Sequence, residues 1–191
     1  SFYQKKIILF PGRLTSWKGH EMLIEALNLF KQKNPDKLFF VVILGSDQGR
    51  TIYRKKIQRL IEQHRLIKDV LFIENCKNMP LAYKISDIVV NCAIEPEAFG
   101  RVAVEAQAME KIILASNLGA AKETIIDNKT GFLFKANDSE DLSNKLSHIF
   151  ELDETTLKSM GNEGRKNAIN KFNVEKMCFS TYSEYKKLIN A

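Results

Sequence analysis

The feature that most constrains this chain is an alternation running from its start to about residue 137. Short apolar runs rich in β-branched residues are each followed by a longer stretch with helical spacing. The runs at 7–10, 38–44, 70–73, 88–91, 112–115 and 131–134 have the length of strands, and the segments 18–33, 50–66, 79–85, 100–109 and 120–126 repeat apolar residues every three or four positions. A run such as FFVVILG is apolar on both sides of the pleat, as a strand covered by helices on two faces must be. Strand–helix alternation means parallel pairing, because each return to the sheet needs a crossover and the helix supplies it. The pattern predicts an α/β fold: a doubly wound parallel sheet of about six strands, Rossmann-like, with a helical C-terminal tail over 138–150, 154–169 and 174–189. Asp138 or Ser139 is the expected N-cap of the first tail helix. Without a linker, low-complexity tract or fixed-period repeat, residues 1–191 read as one domain.

Composition narrows the class. At 191 residues, 45% hydrophobic and 27% charged, the chain has material for a sizeable core, which excludes disordered and collagen-like classes. No apolar run approaches the roughly 20 residues needed to span a bilayer, and the first apolar stretch is too short for a secretory signal. Cys76, Cys92 and Cys178 are odd in number, far apart and never in a C-x-x-C pair, so neither a disulfide framework nor a zinc knuckle is indicated. A soluble chain in a reducing, cytoplasmic compartment is the expectation. The first residue is Ser rather than Met, which points to excision from something longer.

The net charge of +6 has one location. Residues 50–68 hold Arg50, Arg54, Lys55, Lys56, Arg59, Arg65 and Lys68 against the single acid Glu62, an excess equal to that of the whole chain. Tyr53, Ile57, Leu60 and Ile61 fall on the inward face of this helix, with Arg54, Lys55, Arg59 and Arg65 opposite. This is either a solvated helix face or a docking surface for an anionic membrane or acidic partner, the latter placing the protein peripherally on the cytoplasmic face of a membrane. Co-flotation with anionic vesicles should then be lost when Arg54, Lys55 and Arg59 are reversed to acids, and flotation unaffected by that change counts against docking. Nucleic acid is not expected, because the segment's only aromatic, Tyr53, faces the core and offers no stacking platform.

In open parallel sheets ligands bind where strands deliver their carboxyl ends, with helix N-termini aimed at anions. After the first strand, FPGRLTSWKG places Arg13 and Lys18 around a short loop, where a forked guanidinium and an ammonium near a helix start suit a diphosphate, and Gly12 permits close backbone approach. It is not a Walker loop. The alternative is two exposed cations in a turn. After the fourth strand, Glu95 and Glu97 precede Phe99 and Gly100, then a helix with Val102, Ala106 and Met109 inward and Arg101, Glu105 and Ala108 on another side. Free amides at that helix start suit phosphate, and a carboxylate can accept from both hydroxyls of a ribose. Against this, acids near a helix start are favoured by the dipole whatever the function, and Glu105 can pair with Arg101 for about 0.2–0.5 kcal/mol in the weaker orientation. After the fifth strand, Gly119 marks a turn and Glu123 falls in the next helix's first turn, where a dipole-complementing surface acid is the simplest reading.

GRLTSWKG, the E-x7-E pair in EAFGRVAVEA, and SNLGAAKE followed by NKTGFLF together resemble the C-terminal, nucleotide-sugar-binding half of a GT-B glycosyltransferase of family 4, from about Lys6 to the C-terminus. The resemblance implies a retaining hexosyl transfer from a nucleoside diphosphate sugar of UDP or GDP type, with no other cofactor. Arg13 and Lys18 would bind the donor diphosphate and Glu97 the transferred sugar. Amides around Phe99, Gly100 and Arg101 would face the sugar or phosphates, Glu105 would hold the ribose, and positions from Cys76 to Met79 would meet the base. No D-x-D motif is present and His20, His64 and His148 are dispersed, so no metal site is expected. A glycan or lipid-linked acceptor would bind mainly on an N-terminal domain absent from these residues, so this chain alone is expected to bind donor weakly and to transfer nothing. Two positions depart from the pattern: Ala120 stands where a second glycine is usual, and Glu110-Lys111-Ile112 where Gly-x-Pro is. Rival readings are a non-catalytic nucleotide-binding or assembly module completed by a partner chain, and a sugar-nucleotide epimerase, which needs acid–base groups opposite Glu97 that the sequence does not offer.

Overall fold

The computed structural model describes residues 5–189. Six strands, β1 (Lys6–Pro11), β2 (Phe39–Leu44), β3 (Val70–Ile73), β4 (Ile88–Asn91), β5 (Ile112–Ser116) and β6 (Phe132–Phe134), form one sheet in the order β3-β2-β1-β4-β5-β6, and every pairing is parallel. The crossovers run through α1 (His20–Lys33), α2 (Thr51–Gln63), α3 (Met79–Ile85), α4 (Arg101–Ala108) and α5 (Ala121–Thr124), followed by α6 (Ser139–Glu151), α7 (Glu154–Lys171) and α8 (Val174–Ile189). The expected doubly wound sheet is what the chain adopts. Strand order reverses between β1 and β4, which opens a crevice at their carboxyl ends.

Two apolar layers cover the sheet. On one side Leu23, Leu27 and Phe30 of α1 meet Leu142, Leu146 and Ile149 of α6 over Ile8, Phe10, Val41 and Ile43. On the other, Tyr83, Ala103, Ala106 and Ile125 pack on Leu9, Val89, Ile113 and Ala115. β4 and β5 are buried at every position, whereas the edge strand β3 alternates half-buried with exposed residues. α7 closes on α4 because Gly161 lies against the Glu110 carbonyl, where a Cβ would come within 2.5 Å. Buried beneath it, the Asn167 amide donates to Gln107 Oε1 (2.9 Å) and to the Thr124 carbonyl (2.9 Å). Asp138 and Asp153 cap α6 and α7 by accepting from Asp141 N (2.9 Å) and Thr156 N (2.8 Å).

Three sequence expectations need correction. The helix expected over 18–33 begins later, because Gly19 takes a left-handed conformation (φ 77°) that ends a short 3-10 turn, Ser16–Lys18, and starts α1 at His20. On α4 the fully buried residues are Ala103, Ala106 and Gln107, with Val102 and Met109 only half-buried at the margin. Arg54 does not face open solvent: it lies over the Phe72 ring (5.7 Å) and pairs with Glu74 and Asp47, a reach its long side chain makes around the helix flank. Lys56 pairs with Glu21, while Lys55, Arg59, Arg65 and Lys68 stay exposed.

Candidate active site

The site lies at the topological reversal. β1 ends in Pro11, and the loop through Gly12 and Arg13 reaches the 3-10 turn that carries Lys18. β4 ends in Asn91, and its loop returns through Glu97 and Gly100 into α4. The two loops are joined through their backbones, Ile94 N donating to the Trp17 carbonyl (2.8 Å). Gly19 makes that approach feasible, since a Cβ there would lie 2.0 Å from the Cys92 carbonyl oxygen.

At the centre Lys18 Nζ donates to Glu97 Oε1 in an ion pair whose side chains are only 12% and 15% exposed. The other Glu97 oxygen accepts from Asn91 Nδ2 (2.6 Å). Lys18 also sits over the Trp17 ring (4.4 Å), and its methylene stem passes beside Gly12. Gly100 faces Glu97 Oε2, with a Cβ at that position 3.7 Å away. α4 then opens with no side-chain cap and no acid in its first turn, so its positive dipole end is unsatisfied and directed at this cluster. From the next strand, Gly119 (φ 55°) supports the Glu97 backbone: a Cβ there would be 2.8 Å from both Glu97 N and O, and Ala120 N donates to the Glu97 carbonyl (3.1 Å). Ala120 itself has φ −65°, a conformation open to any residue, so its lack of a second glycine costs the backbone nothing. The other departure is felt, because Glu110 takes the left-handed conformation (φ 58°) a glycine would adopt freely.

Glu105 stands on the second turn of α4, away from the ion pair. Its Oε2 accepts from the Tyr83 hydroxyl (2.8 Å), and its Oε1 from Arg101 Nε (3.1 Å) and Nη2 (2.7 Å). The i, i+4 pairing weighed as an alternative is therefore present, yet a carboxylate has about four lone-pair sites and keeps capacity for two further donors. Burial, then the hydrogen bond and charge of Glu105, push the Tyr83 phenol well above its ordinary range, so it stays a neutral donor. Cys76 and Met79, half-buried, pack on the same cluster as Tyr83. Arg13 is exposed, and Phe99 is exposed with its ring edge on Phe172 (5.9 Å). The loops thus bring Gly12, Lys18, Glu97 and Gly100 together, with Glu105, Arg101, Cys76 and Met79 forming a neighbouring group around Tyr83.

Sequence reasoning missed Asn91, Tyr83 and Ser116. Asn91 and Ser116 end adjacent buried strands where an apolar residue would be ordinary, and that substitution of type was the available signal. They line one narrow cavity with Glu97 and Gly100, and the Ser116 hydroxyl in its wall has no hydrogen-bond partner.

Residues 2–167 match the family model described as glycosyl transferases group 1. The chain belongs to this family. A solved glycosyltransferase from Rickettsia africae ESF-5 superposes with TM-score 0.90 at 35% identity, covering 97% of this chain and 48% of that one. The Anabaena protein Alr3699/HepE, solved in complex with UDP-glucose, gives TM-score 0.87 at 25% identity over 96% of this chain and 49% of that one. A D-inositol 3-phosphate glycosyltransferase of Corynebacterium glutamicum (strain R) is 27% identical over 165 residues, 85% of this chain and 39% of that protein. The group 1 chain described here therefore spans less than half the length of these relatives.

Proposed function

We propose that this chain is the donor-binding, C-terminal half of a family 4 GT-B glycosyltransferase that transfers a hexosyl group, with retention, from a nucleoside diphosphate sugar. The observation that carries this reading is the Lys18–Glu97 pair, placed at the strand-order reversal beside the uncapped start of α4. A dianionic diphosphate entering this crevice meets an ammonium, the exposed Arg13 guanidinium and a positive helix end, and it competes with Glu97 for Lys18. Those fixed charges oppose the negative charge that grows on the leaving diphosphate as the glycosidic bond breaks, which is where differential stabilisation accelerates transfer. Once the cation turns to phosphate, Glu97, still held by Asn91, is free to accept from sugar hydroxyls. Glu105, oriented by Tyr83 and Arg101, receives the ribose hydroxyls, and Cys76 and Met79 border the base.

A UDP-type donor is favoured over GDP by the UDP-glucose held by the Anabaena relative. The acceptor, a glycan or lipid-linked saccharide, is assigned to an N-terminal domain. α8 supports that division: it buries no residue and exposes Val174, Met177, Tyr182, Tyr185 and Leu188, as a half separated from its complement would. A location on the cytoplasmic face of a membrane rests on α2 alone, through the cations left unpaired by Glu74, Asp47 and Glu21. Among the described residues no helix is long and apolar enough to cross a membrane.

Titration calorimetry of the chain with UDP, GDP, ADP and their sugars tests the reading. Glu105→Ala is expected to weaken binding of the preferred nucleotide by roughly 1.5–3 kcal/mol, the value of hydrogen bonds to a charged group, or about ten- to a hundredfold. An unchanged dissociation constant removes the ribose assignment.

A further inference from the structure

α7 runs antiparallel along α4 and backs its whole length. Gly161 lies against the Glu110 carbonyl, a Cβ at Gly164 would meet Gln107 Cγ at 3.2 Å, and Phe172, at the C-terminal end of α7, reaches the Phe99 ring edge-on (centroids 5.9 Å apart, planes at 73°). The far end of this line of contacts is tied down by polar groups. Asn167 donates to Gln107 and to the Thr124 carbonyl, Arg165 donates to the Ala108 carbonyl, and Arg165 Nε stands 3.5 Å from Glu110 Oε1. The last turn is fixed in its own right. Phe172 N donates to the Ala168 carbonyl (2.9 Å), and the Asn173 amide donates to the Ile169 carbonyl (2.8 Å) while its side-chain oxygen accepts from Lys176 N (2.8 Å) as α8 begins. Phe172 is thus a half-buried ring on a rigid mount.

The ring it meets belongs to the loop that opens α4. Upstream, that loop is held where Ala120 N donates to the Glu97 carbonyl (3.1 Å), and downstream where Ala103 N donates to the Gly100 carbonyl (3.0 Å). Between these anchors the chain turns through Gly100 in the left-handed conformation (φ 66°), where no Cβ restricts the backbone. Phe99, 47% exposed, joins this stretch to the body of the domain through Phe172. Edge-to-face rings attract with a defined geometry, so the contact orients the loop as well as covering it. We propose that Phe172 is a positioning residue for the donor reaction: by holding Phe99 it sets the direction of the amides at Phe99, Gly100 and Arg101. It therefore governs the diphosphate and sugar end of the site and leaves the ribose end, held by Glu105 and Tyr83, unchanged. Donors aimed at a developing charge are effective only when held in alignment, which gives a ring outside the crevice its influence on the chemistry within it. The inference rests on the donor-binding reading above.

The chain is titrated calorimetrically with UDP, GDP and ADP and with the matching monophosphates UMP, GMP and AMP. The ratio of diphosphate to monophosphate affinity isolates the β-phosphate. A general loss of stability lowers both affinities by one factor and does not move that ratio. Phe172→Ala is expected to cut the ratio for the preferred base about fivefold, the scale of an aromatic pair's coupling, with the monophosphate constant within about twofold of the parent. Phe99→Ala should cut it similarly, and the double variant Phe99→Ala/Phe172→Ala no further than Phe99→Ala alone, because Phe172 acts through Phe99. If the alanine variant does not fold, Phe172→Leu, which keeps apolar volume without the ring, carries the same test. A ratio within about twofold of the parent, or losses that add in full in the double variant, overturns the proposal and leaves the donor reading standing. A parent chain that binds none of the three diphosphates ends the donor reading and this inference with it.

Discussion

Replacing Lys18 by Met in the complete enzyme is expected to lower the rate of sugar transfer roughly a hundred- to a thousandfold, the loss of about 3–4 kcal/mol seen when one preorganised donor to a developing charge is removed. The Lys18 side chain is 12% exposed, so bulk water cannot take over its work cheaply. Its removal also leaves Glu97, whose side chain is 15% exposed, with Asn91 as its remaining partner. These two consequences separate experimentally. If Lys18 matters only by balancing Glu97, the double variant Lys18→Met/Glu97→Gln recovers the melting temperature and turns over as fast as Glu97→Gln alone. If Lys18 stabilises the leaving diphosphate, the double variant recovers melting temperature while its turnover stays far below that of Glu97→Gln, and UDP binds more weakly by calorimetry to both Lys18→Met proteins. A double variant as fast as Glu97→Gln would falsify the leaving-group role.

Gly19→Ala is expected to be strongly destabilising. The left-handed backbone costs a non-glycine residue about 1–2 kcal/mol, and the new carbon would sit 2.0 Å from the Cys92 carbonyl oxygen, a backbone atom that cannot rotate away. Relief requires the loops after β1 and β4 to separate, which strains the Ile94–Trp17 hydrogen bond. A total of about 4 kcal/mol corresponds to a fall in melting temperature of roughly 8–16 °C for a domain of this size. Calorimetric melting within 3 °C of the parent would show that the loops are not so tightly apposed. Gly119→Ala meets contacts at 2.8 Å instead, and its loss should be smaller.

How far the sequence disclosed this molecule depends on the range of the interactions involved. Strands such as FFVVIL, and the helices between them, announce themselves through local periodicity, and six parallel strands follow. The crevice was also locatable, because loops at the carboxyl ends of a doubly wound sheet are the ones that converge. Partner choice was not. Nothing near Asn91 in the sequence says that it grips Glu97, and Tyr83, spaced as a core residue of α3, gives no local sign that its hydroxyl orients Glu105 from 22 positions away. Gly119 reads as an ordinary turn, and its close approach to the Glu97 backbone exists only once β4 and β5 are side by side. Arg54 was placed outward by helical angle alone, which ignores a side chain long enough to reach Glu74 after β3.

Lys18 and Glu97 are 79 residues apart and are brought together by two strands that share a short register, Ile8 with Ile88 and Leu9 with Val89. The crevice is therefore a seam between the first and second halves of the sheet. A ligand gripping both lips ties those halves together and adds its binding energy to the cooperative unit as a whole, about 2.7 kcal/mol at a hundred times its dissociation constant. Conversely, no excised segment that stops short of β4 can contain this site, however well its own helices form.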